Sequence, residues 1–485
     1  MRTKKITDLL EGIEAEIPDN IKNLRINEIH YDSRKVKAGD LFVAVRGFKS
    51  DGHRYISAVE KAGAAAAVVE NVADHIQIPQ IRVADSRSAM AYLAYNYYRP
   101  EIEMMNLIGI TGTNGKTTTS FLVRSILEQA GIPSGLIGTI AYYYGDHQNN
   151  AWNTTPEALD LCKLIFDMYE NMQQSCVLEV SSHALSLNRV DSLPFKVAVF
   201  TNLSRDHMDF YKSEDEYFNA KVKIFSLLRD DGTAVINIDD KHGSLLARKL
   251  NRPMLTFSVS SGADVFIKEW KIDISGIHMQ VETPAGSLEI HSKLLGEFNM
   301  QNILAAVTVG IALDFELKDI SAGIEKISRV PGRFESYGVG EGAVAVIDYA
   351  HSPDALEKAI LALRKITPNR LIVVFGAGGD RDRGKRPIMG KISENLADWI
   401  IVTSDNPRTE DPDQIINEIL EGMSHPEKRE VISDRREAIE KAVKMARDGD
   451  VILIAGKGHE MYQEINGVKY DFDEASIIKE ASKHA

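Results

Sequence analysis

Short apolar runs alternate with amphipathic stretches along most of the chain, a pattern typical of α/β proteins. The clearest case is an apolar run over residues 107–111, followed by a glycine-rich turn and a helix predicted over residues 120–128. Further strands are predicted over residues 175–178, 197–200, 233–237, 344–348, 371–375, 399–403 and 451–454. Predicted helices between the last four strands cover residues 354–365, 387–397, 413–422 and 435–446. This alternation favours mostly parallel, doubly wound sheets with helices on both faces.

Three domains are expected from the length of 485 residues, because a domain usually holds about 100–200 residues. Residues 1–105 are predicted to form a small α/β domain, with strands over 40–45 and 67–69 and helices over 58–66 and 85–94. Residues 106–331 would form the central domain, and residues 332–485 a C-terminal Rossmann-like α/β domain. Alternating residues between 262 and 295 predict a small antiparallel insertion.

Composition narrows the possible classes of function. A net charge of −13 without a long basic block argues against nucleic acid or an acidic membrane as partner. Two cysteines provide no disulfide framework. No signal peptide and no apolar run of about 18–20 residues is found, so we expect a cytoplasmic protein without membrane insertion. We also expect it to act as a monomer.

The turn after the first central strand has the chemistry of a phosphate site. Gly112 and Gly115 allow backbone N–H groups to converge on an anion at the start of a helix. Lys116 would contact the outer phosphates, and the Thr117 hydroxyl a magnesium ion. The loop is shorter than a full Walker motif, which would place a glycine at Ile110. An ordinary strand-to-helix turn is the alternative.

Two polar residues follow other strands of the same predicted sheet. Glu179 follows the strand 175–178, and His207 lies in the loop after the strand 197–200. Because open α/β sheets bind ligands at the carboxyl ends of their strands, these side chains and Thr117 could form a cation site near nucleotide phosphates. A single glutamate after a strand is more often a helix cap.

Three loops of the C-terminal part could bind a charged ligand. The glycine-rich loop 376–386 carries Arg381, Arg383 and Arg386, which suit phosphate or carboxylate groups. It is not a dinucleotide fingerprint, since its third glycine position is Arg381, and a solvated basic loop is the alternative. In the turn 405–408, Pro407 restricts the backbone and could hold Asp405 and Arg408 at a fixed separation, so that they bind a zwitterion. Alternatively, the two could pair with each other. The loop 455–460 adds Glu460.

Taken together, these motifs resemble the Mur ligases of bacterial cell-wall synthesis. The resemblance covers the whole chain in the family's order, and it includes the short phosphate loop. It rests on the segments 111–118, 179–183, 202–207, 332–335, 348–353 and 405–408. It implies an ATP-dependent amide-bond ligase of peptidoglycan biosynthesis that joins a diamino acid to UDP-N-acetylmuramoyl-L-alanyl-D-glutamate. The N-terminal domain would then bind UDP, the central domain ATP, and the C-terminal domain the amino acid.

The resemblance also implies roles for individual residues. Two Mg²⁺ ions would be bound, one by Thr117 and Glu179 and the other by His207 and a carbamylated Lys221, although the sequence pattern alone indicates that Lys221 is solvated. Residues expected to contact ATP are Gly112, Thr113, Asn114, Gly115, Lys116, Thr117, Thr118, Asn302, Arg333, Asp348 and His351. The catalytic group comprises Lys116, Glu179, His207, Lys221 and His351. Residues expected at the uridine end are Ser33, Phe48, Lys49 and Ser50, and those at the muramoyl peptide are Asn153, Thr154, Thr155, Ser181 and Arg189.

The sequence Asp-Asn-Pro-Arg is the family's signature for meso-diaminopimelate rather than L-lysine. That diamino acid has a distal carboxylate, which Arg408 and Arg381 would bind, and a distal ammonium, which Glu460 would bind. The amine-site residues are therefore Arg381, Asp405, Asn406, Pro407, Arg408, Gly456 and Glu460. Two alternatives stay open: a related ligase that adds L-lysine or another amine, and a nucleotide-binding regulator that ligates nothing.

Overall fold

The computed structural model describes residues 2–48, 50–340 and 342–483. The chain divides into two compact units. The first consists of Met1–Ser258, Gly262–Val265 and Leu304–Ile320, and the second of Val259–Ser261, Phe266–Ile303 and Ser321–Ala485. Both contain parallel sheets with buried strands, which confirms the predicted α/β class.

The first hundred residues form a small α/β layer. Its elements are β1 Lys4–Lys5, α1 Ile6–Leu9, β2 Ala15–Glu16, β3 Arg25–Ile26, β4 Ile29–His30, β5 Leu41–Val43, α2 Ile56–Lys61, β6 Ala66–Val69, β7 Gln80–Val83 and α3 Ser86–Glu103, with 3₁₀ turns at Asp19–Ile21 and Gly52–Tyr55. Five strands pair in the order β2-β7-β6-β5-β4, in which β4 to β7 are parallel. The side chain of Asp85 caps α3, as predicted, by accepting hydrogen bonds from two backbone N–H groups.

One predicted helix of this layer is wrong in its bounds. The prediction covered residues 58–66, but α2 ends at Lys61, and Ala66 is the first residue of β6. Gly63 has φ +88°, a left-handed conformation that ends the helix. A run of alanines has no apolar periodicity that could have located this boundary.

The central sheet of the first unit contains the phosphate loop. Its elements are β8 Asn106–Thr111, α4 Lys116–Gln129, β9 Ser134–Ile137, β10 Ala141–Tyr144, β11 His147–Asn150, α5 Ala158–Glu170, β12 Ser175–Glu179, α6 Ser182–Ser186, β13 Phe195–Phe200, α7 Glu214–Val222, β14 Leu228–Asn237, α8 Lys241–Lys249 and β15 Met254–Ser258, with a 3₁₀ helix at Lys223–Leu227. The strands are ordered β11-β10-β9-β12-β8-β13-β14-β15, and all except β10 and β11 run parallel. Because β8 lies between β12 and β13, the loops after these three strands meet at one edge.

The remaining elements start with the predicted antiparallel insertion. It consists of β16 Val265–Asp273, β17 Gly276–Thr283 and β18 Gly286–Ser292, which pair consecutively. After it come α9 Phe298–Ala312, α10 Leu317–Lys326, β19 Glu335–Val339, β20 Ala343–Asp348, α11 Pro353–Arg364, β21 Leu371–Phe375, α12 Lys385–Leu396, β22 Trp399–Val402, α13 Pro412–Leu420, a 3₁₀ turn Pro426–Lys428, β23 Arg429–Val431, α14 Arg435–Met445, β24 Val451–Ala455, β25 Tyr462–Ile465, β26 Val468–Asp471 and α15 Glu474–Ser482.

The C-terminal sheet has the strand order β19-β20-β24-β21-β22-β23. All its strands are parallel except β19, which pairs antiparallel with β20. The loops after β20, β21, β22 and β24 therefore lie at one edge, where the sequence predicts the amine site. No helix among the described residues is long and apolar enough to span a membrane.

Candidate active site

The loop after β8 has the backbone geometry of a phosphate site. Gly112 has φ +147°, and a Cβ atom there would lie 1.8 Å from the Thr201 hydroxyl, so only glycine fits. Gly115 is the N-cap of α4, and the N–H groups and dipole at a helix N-terminus favour an anion. The structure therefore has the strand, turn and helix that the sequence predicts.

The segment after β13 holds this loop in place. The Thr201 hydroxyl donates to the carbonyl oxygen of Asn114 at 2.6 Å, and the backbone N–H of Asn114 donates to Asn202 Oδ1 at 2.9 Å. Lys116 Nζ donates to the carbonyl oxygens of Gly112 and Thr113, both at 2.9 Å. The ammonium group thus lies over the loop that would bind the phosphates.

Thr117 and Glu179 meet at the same edge of the sheet. The Thr117 hydroxyl donates to Glu179 Oε2 at 3.0 Å, and the Glu179 side chain is completely buried. Thr139, which follows β9, donates to both carboxylate oxygens, through its hydroxyl to Oε2 and through its backbone N–H to Oε1, each at 3.0 Å. A hydroxyl beside a carboxylate fits a hard, oxygen-preferring cation such as Mg²⁺. Sequence reasoning missed Thr139, although its position after a strand was a usable signal.

Lys221 is buried, which contradicts the solvated position that its helix pattern indicates. Its Nζ donates to the carbonyl oxygen of Gly112 at 2.9 Å and lies 4.4 Å from the centre of the Tyr217 ring. Burial holds the pKa of Lys221 well below its ordinary range, and the nearby ammonium of Lys116 lowers this pKa further. The neighbouring lysine, Lys223, is half-buried and pairs with Asp191 at 2.7 Å.

His207 belongs to a group of aromatic rings that includes Tyr217. Its ring centre is 6.0 Å from that of Tyr217 and 4.7 Å from that of His183. Among the residues that the structure describes, no three side chains of His, Cys, Asp or Glu come together as a metal site. The predicted cation sites would not form such a cluster, because two of their ligands are a threonine hydroxyl and a modified lysine.

The residues predicted at the muramoyl peptide are joined to Glu179 by hydrogen bonds. The Thr155 hydroxyl donates to the carbonyl oxygen of Glu179 at 2.8 Å and accepts from the Ser181 N–H at 3.1 Å. Arg189 donates to the carbonyl oxygen of Thr155 at 2.9 Å. The Thr154 hydroxyl lies 3.0 Å from that of Thr139. Asn153 is held separately, through its carbonyl oxygen, by the Tyr142 hydroxyl at 2.6 Å.

A cleft of about 600 Å³ in the first unit includes part of the predicted uridine end. Ser33 and Ser50 line it, together with Tyr31, Arg34, Arg87 and Glu157, to which the sequence analysis assigned no individual role. Phe48 is not part of this lining; its ring is exposed and lies 6.4 Å from that of Phe210. Lys49 lies outside the described residues.

In the second unit, the turn after β22 separates Asp405 from Arg408. Arg408 Nη1 donates to the carbonyl oxygen of Gly379 at 2.7 Å, and its Nε lies 3.3 Å from Glu464 Oε2. Asp405 Oδ1 instead faces Lys457 Nζ at 3.7 Å. The two residues of the turn therefore do not pair with each other, so the alternative of an Asp405–Arg408 ion pair is wrong. Neither Nη2 of Arg408 nor the second N–H of its Nη1 has a partner within residues 2–48, 50–340 and 342–483.

Two of the three arginines in the loop 376–386 are occupied by ion pairs, which corrects the sequence-based expectation. Arg386 is fully buried and binds Glu410 at 2.8 Å and Glu418 at 2.7 Å. Arg383 also binds Glu418. Arg381 is exposed, and it is the member of the three that was predicted to bind substrate.

Glu460 is held by the turn after β22. Its Oε2 accepts from Asn406 Nδ2 at 2.8 Å and lies 3.6 Å from Lys457 Nζ. A Cβ atom on Gly456 would lie 2.5 Å from Asp405 Oδ2, so the loop after β24 packs closely on this turn. The structure thus brings together Asp405, Asn406, Gly456 and Glu460. It adds Lys457, which sequence reasoning did not assign.

Four further predicted nucleotide contacts lie in the second unit. Asn302 is buried and donates to Asn299 Oδ1 at 2.7 Å. Asp348 accepts the N–H of Phe334 at 3.1 Å, and burial raises the pKa of Asp348. The Arg333 guanidinium lies 5.6 Å from the Tyr349 ring centre. His351 is exposed, and its Nδ1 donates to the Tyr349 carbonyl oxygen at 2.7 Å.

Sequence models of three domains match the chain. They are the Mur ligase family catalytic domain at residues 25–98, the Mur ligase middle domain at 110–310, and the Mur ligase glutamate ligase domain at 332–458. A UDP-N-acetylmuramoyl-L-alanyl-D-glutamate–2,6-diaminopimelate ligase of Geobacter metallireducens is 43% identical, with 98% of each chain covered. The chain belongs to the Mur ligase family. A ligase of the same name from Clostridium tetani is 41% identical over 98% of this chain and 99% of its own.

Solved Mur ligase structures have the same fold. A UDP-N-acetylmuramoyl-L-alanyl-D-glutamate–2,6-diaminopimelate ligase structure aligns with a TM-score of 0.75 at 32% identity and covers 97% of both chains. The MurF ligase of Thermotoga maritima in complex with ADP aligns with a TM-score of 0.61 at 21% identity, over 95% of this chain and 99% of its own. At that identity the second likeness concerns the fold alone.

Proposed function

We propose that this Mur ligase joins meso-diaminopimelate to the side-chain carboxylate of D-glutamate in UDP-N-acetylmuramoyl-L-alanyl-D-glutamate, with hydrolysis of ATP to ADP and phosphate. Relatives named as UDP-N-acetylmuramoyl-L-alanyl-D-glutamate–2,6-diaminopimelate ligases are 41–43% identical over nearly the whole chain. The single structural observation that carries the proposal is the turn after β22. There, Arg408 keeps N–H groups that have no partner among the described residues, and Asn406 links the same turn to the carboxylate of Glu460.

The proposed reaction has two steps. The γ-phosphoryl group of ATP is transferred to the glutamate carboxylate, which gives an acyl phosphate. The amine of the second substrate then attacks the acyl carbon, and the tetrahedral intermediate expels phosphate. Both steps require several anionic oxygens close together, so cationic groups and oriented N–H donors must offset their repulsion.

The phosphate loop would supply much of that stabilisation. Its backbone N–H groups between Gly112 and Thr118 would bind the phosphates, and Lys116 would exchange its two carbonyl partners for phosphate oxygens. The resemblance assigns Asn302, Arg333, Asp348 and His351 to ATP as well. These four roles stay predictions.

Two magnesium ions are part of the proposal, and they would supply positive charge that offsets the repulsion between the phosphate and carboxylate oxygens. Thr117 and Glu179 would hold one ion, which their adjacent oxygens support. His207 and Lys221 would hold the other. An ammonium cannot bind a cation, but its carbamate is a two-oxygen anion. The buried amine of Lys221 favours the neutral form that reacts with CO₂.

The acceptor substrate, UDP-N-acetylmuramoyl-L-alanyl-D-glutamate, would lie along the first unit. Its uridine end is assigned to Ser33 and the segment 48–50, of which Ser33 and Ser50 line the cleft. Its muramoyl peptide is assigned to residues 153–155, Ser181 and Arg189. This arrangement is supported by the hydrogen bonds that join Thr155 to Glu179, because the peptide must end beside the phosphate loop.

The amine site would bind both charged groups at the distal end of meso-diaminopimelate. Arg408, with Arg381, would bind the distal carboxylate, and Glu460 the distal ammonium. L-Lysine has no distal carboxylate, so it would leave Arg408 unsatisfied at a cost of roughly 1–3 kcal/mol or more. We further propose that the protein acts in the cytoplasm as a monomer.

An amide-ligation assay tests the proposal, with meso-diaminopimelate and L-lysine supplied in parallel at equal concentrations. Peptide product and phosphate are measured with each substrate omitted in turn. We expect product with diaminopimelate, little with L-lysine, and phosphate release that requires both the acceptor and the amine. Phosphate release that ignores the amine would contradict ligation and favour a nucleotide-binding regulator. Equal use of L-lysine would contradict the specificity.

A further inference from the structure

Lys457 is a completely buried cation in the second unit, in the loop after β24. Its Nζ donates to Asn406 Oδ1 at 2.8 Å. The same Nζ lies 3.7 Å from Asp405 Oδ1 and 3.6 Å from Glu460 Oε2. Each of these three partners is a residue assigned to the amine site, whereas Lys457 itself has no role in the proposed reaction.

The ammonium of Lys457 determines how the Asn406 amide is turned. Two donors converge on Asn406 Oδ1, namely Lys457 Nζ and the backbone N–H of Glu464 at 2.9 Å. The amide nitrogen must therefore point the other way, where Nδ2 donates to Glu460 Oε2 at 2.8 Å. A hydrogen-bond relay thus runs from Lys457 through Asn406 to Glu460.

The same ammonium separates two carboxylates that would otherwise repel each other. Asp405 lies in the turn after β22 and Glu460 in the loop after β24, and both face Lys457 Nζ. Burial lowers the pKa of Lys457, while the charges of Asp405 and Glu460 counteract that shift. A second buried cation, Arg435, is already engaged by Glu474 at 2.7 Å and by the Ala455 carbonyl oxygen at 2.9 Å, so it has less capacity to replace Lys457.

We propose that Lys457 is a positioning residue for the amine substrate, which aims the carboxylate of Glu460 at the substrate's distal ammonium by fixing Asn406. This inference rests on the proposed function, because it assumes that Glu460 binds that ammonium. Lys457 has no exposed surface, so it acts through these two side chains and does not touch the substrate.

The test compares steady-state kinetics of Lys457→Met with the wild type. Methionine has a similar length but neither charge nor donor. We expect the KM for meso-diaminopimelate to rise about tenfold or more, while the KM values for ATP and for the acceptor substrate change less than about twofold. Lys444→Met is the matched control, since Lys444 is an exposed lysine on α14 that pairs with Glu440, and it should change none of the three KM values.

A double-mutant cycle separates positioning from a general structural role. If Lys457 acts through Glu460, Lys457→Met should have little further effect on the diaminopimelate KM in a Glu460→Gln background. Effects that multiply, or equal rises in all three KM values, would overturn the inference. So would an unchanged diaminopimelate KM in Lys457→Met.

A second variant keeps the inference testable if Lys457→Met does not fold. Asn406→Ala keeps the buried charge but cuts the relay to Glu460, and it should give the same selective rise in the diaminopimelate KM. A folded Asn406→Ala protein with unchanged KM values would overturn the inference. Failure of the proposed function is distinct, because the wild type itself would then fail to ligate diaminopimelate.

Discussion

The hydroxyl of Thr117 donates a hydrogen bond of 3.0 Å to Oε2 of Glu179, across 62 residues of chain. The bond joins the phosphate loop after β8 to the carboxyl end of β12. Parallel pairing makes it possible, because β12 and β8 are in register up to Glu179 and Ile110. Glu179 therefore contacts both parts of the site. Its carboxylate accepts a hydrogen bond from the phosphate loop, and its backbone carbonyl accepts one from Thr155, which is assigned to the muramoyl peptide.

Replacement of this carboxylate should abolish most of the magnesium-dependent activity. We expect Glu179→Gln to lower kcat/KM about 100-fold or more, because the amide keeps the shape but loses the negative charge that holds the cation. Ligation rates measured over a magnesium titration check this. Glu128→Gln on α4, whose side chain pairs with Arg124 at 2.9 Å, is the control and should behave as wild type. An unchanged magnesium dependence in Glu179→Gln would contradict the assigned role.

Carbamylation of Lys221 can be observed without an activity assay. We expect protein equilibrated with ¹³C-labelled bicarbonate to show a carbamate carbon resonance by NMR, since burial lowers the pKa of Lys221 and so favours the neutral amine that reacts with CO₂. Lys221→Arg should lack the resonance, whereas Lys223→Arg should retain it, because Lys223 is a half-buried ammonium paired with Asp191. A resonance that survives in Lys221→Arg would place the modification elsewhere.

Arg408 should discriminate between substrates. Arg408→Ala removes a charge-assisted contact worth roughly 1.5–3 kcal/mol, so we expect the diaminopimelate KM to rise about 10- to 100-fold with little change in the ATP KM. Arg383→Ala is the matched control, because Arg383 is an arginine of the neighbouring loop that is paired with Glu418. Equal increases in both KM values for Arg408→Ala would argue against a carboxylate-binding role.

The pair of the buried Arg386 with the partly exposed Glu410 predicts a defined pH dependence of stability. Hydrogen bonds from Arg386 lower the pKa of Glu410 to about 2, from an ordinary value of 4.5. A carboxylate with a lowered pKa stabilises the fold above its unfolded pKa, and that stabilisation is lost as the pH falls through the folded pKa. We therefore expect Glu410→Gln to reduce the free energy of unfolding by about 1–3 kcal/mol at pH 7. The difference should shrink between pH 4.5 and pH 2.

Urea unfolding of the wild type and Glu410→Gln at several pH values measures this difference. The exposed pair of Lys444 and Glu440 offers a control, since Glu440→Gln should cost only about 0–1 kcal/mol at any pH. A difference between Glu410→Gln and the wild type that stays constant down to pH 2 would mean that the charge of Glu410 does not stabilise the fold.

Local patterns predicted the main elements well where apolar periodicity was strong. The strands over residues 107–111, 175–178 and 371–375 and the capped helix after Asp85 are all present. The bounds failed at the alanine-rich segment, where α2 ends before Gly63. There, small residues are compatible with both helix and strand, and the backbone conformation of one glycine decides the boundary.

The family, the α/β class and the order of the chemical motifs could be inferred from the amino-acid sequence alone, because each motif is a short run of residue types that its own chemistry requires. Which charged side chains are occupied by partners became clear only from the folded chain. Arg383 and Arg386 face carboxylates that lie more than twenty residues away. The buried Lys221 donates to the carbonyl oxygen of Gly112, and the buried Lys457 donates to Asn406, which are 109 and 51 residues away in sequence. Burial and pairing depend on what the fold brings next to a residue, and no local pattern of charge contains that information.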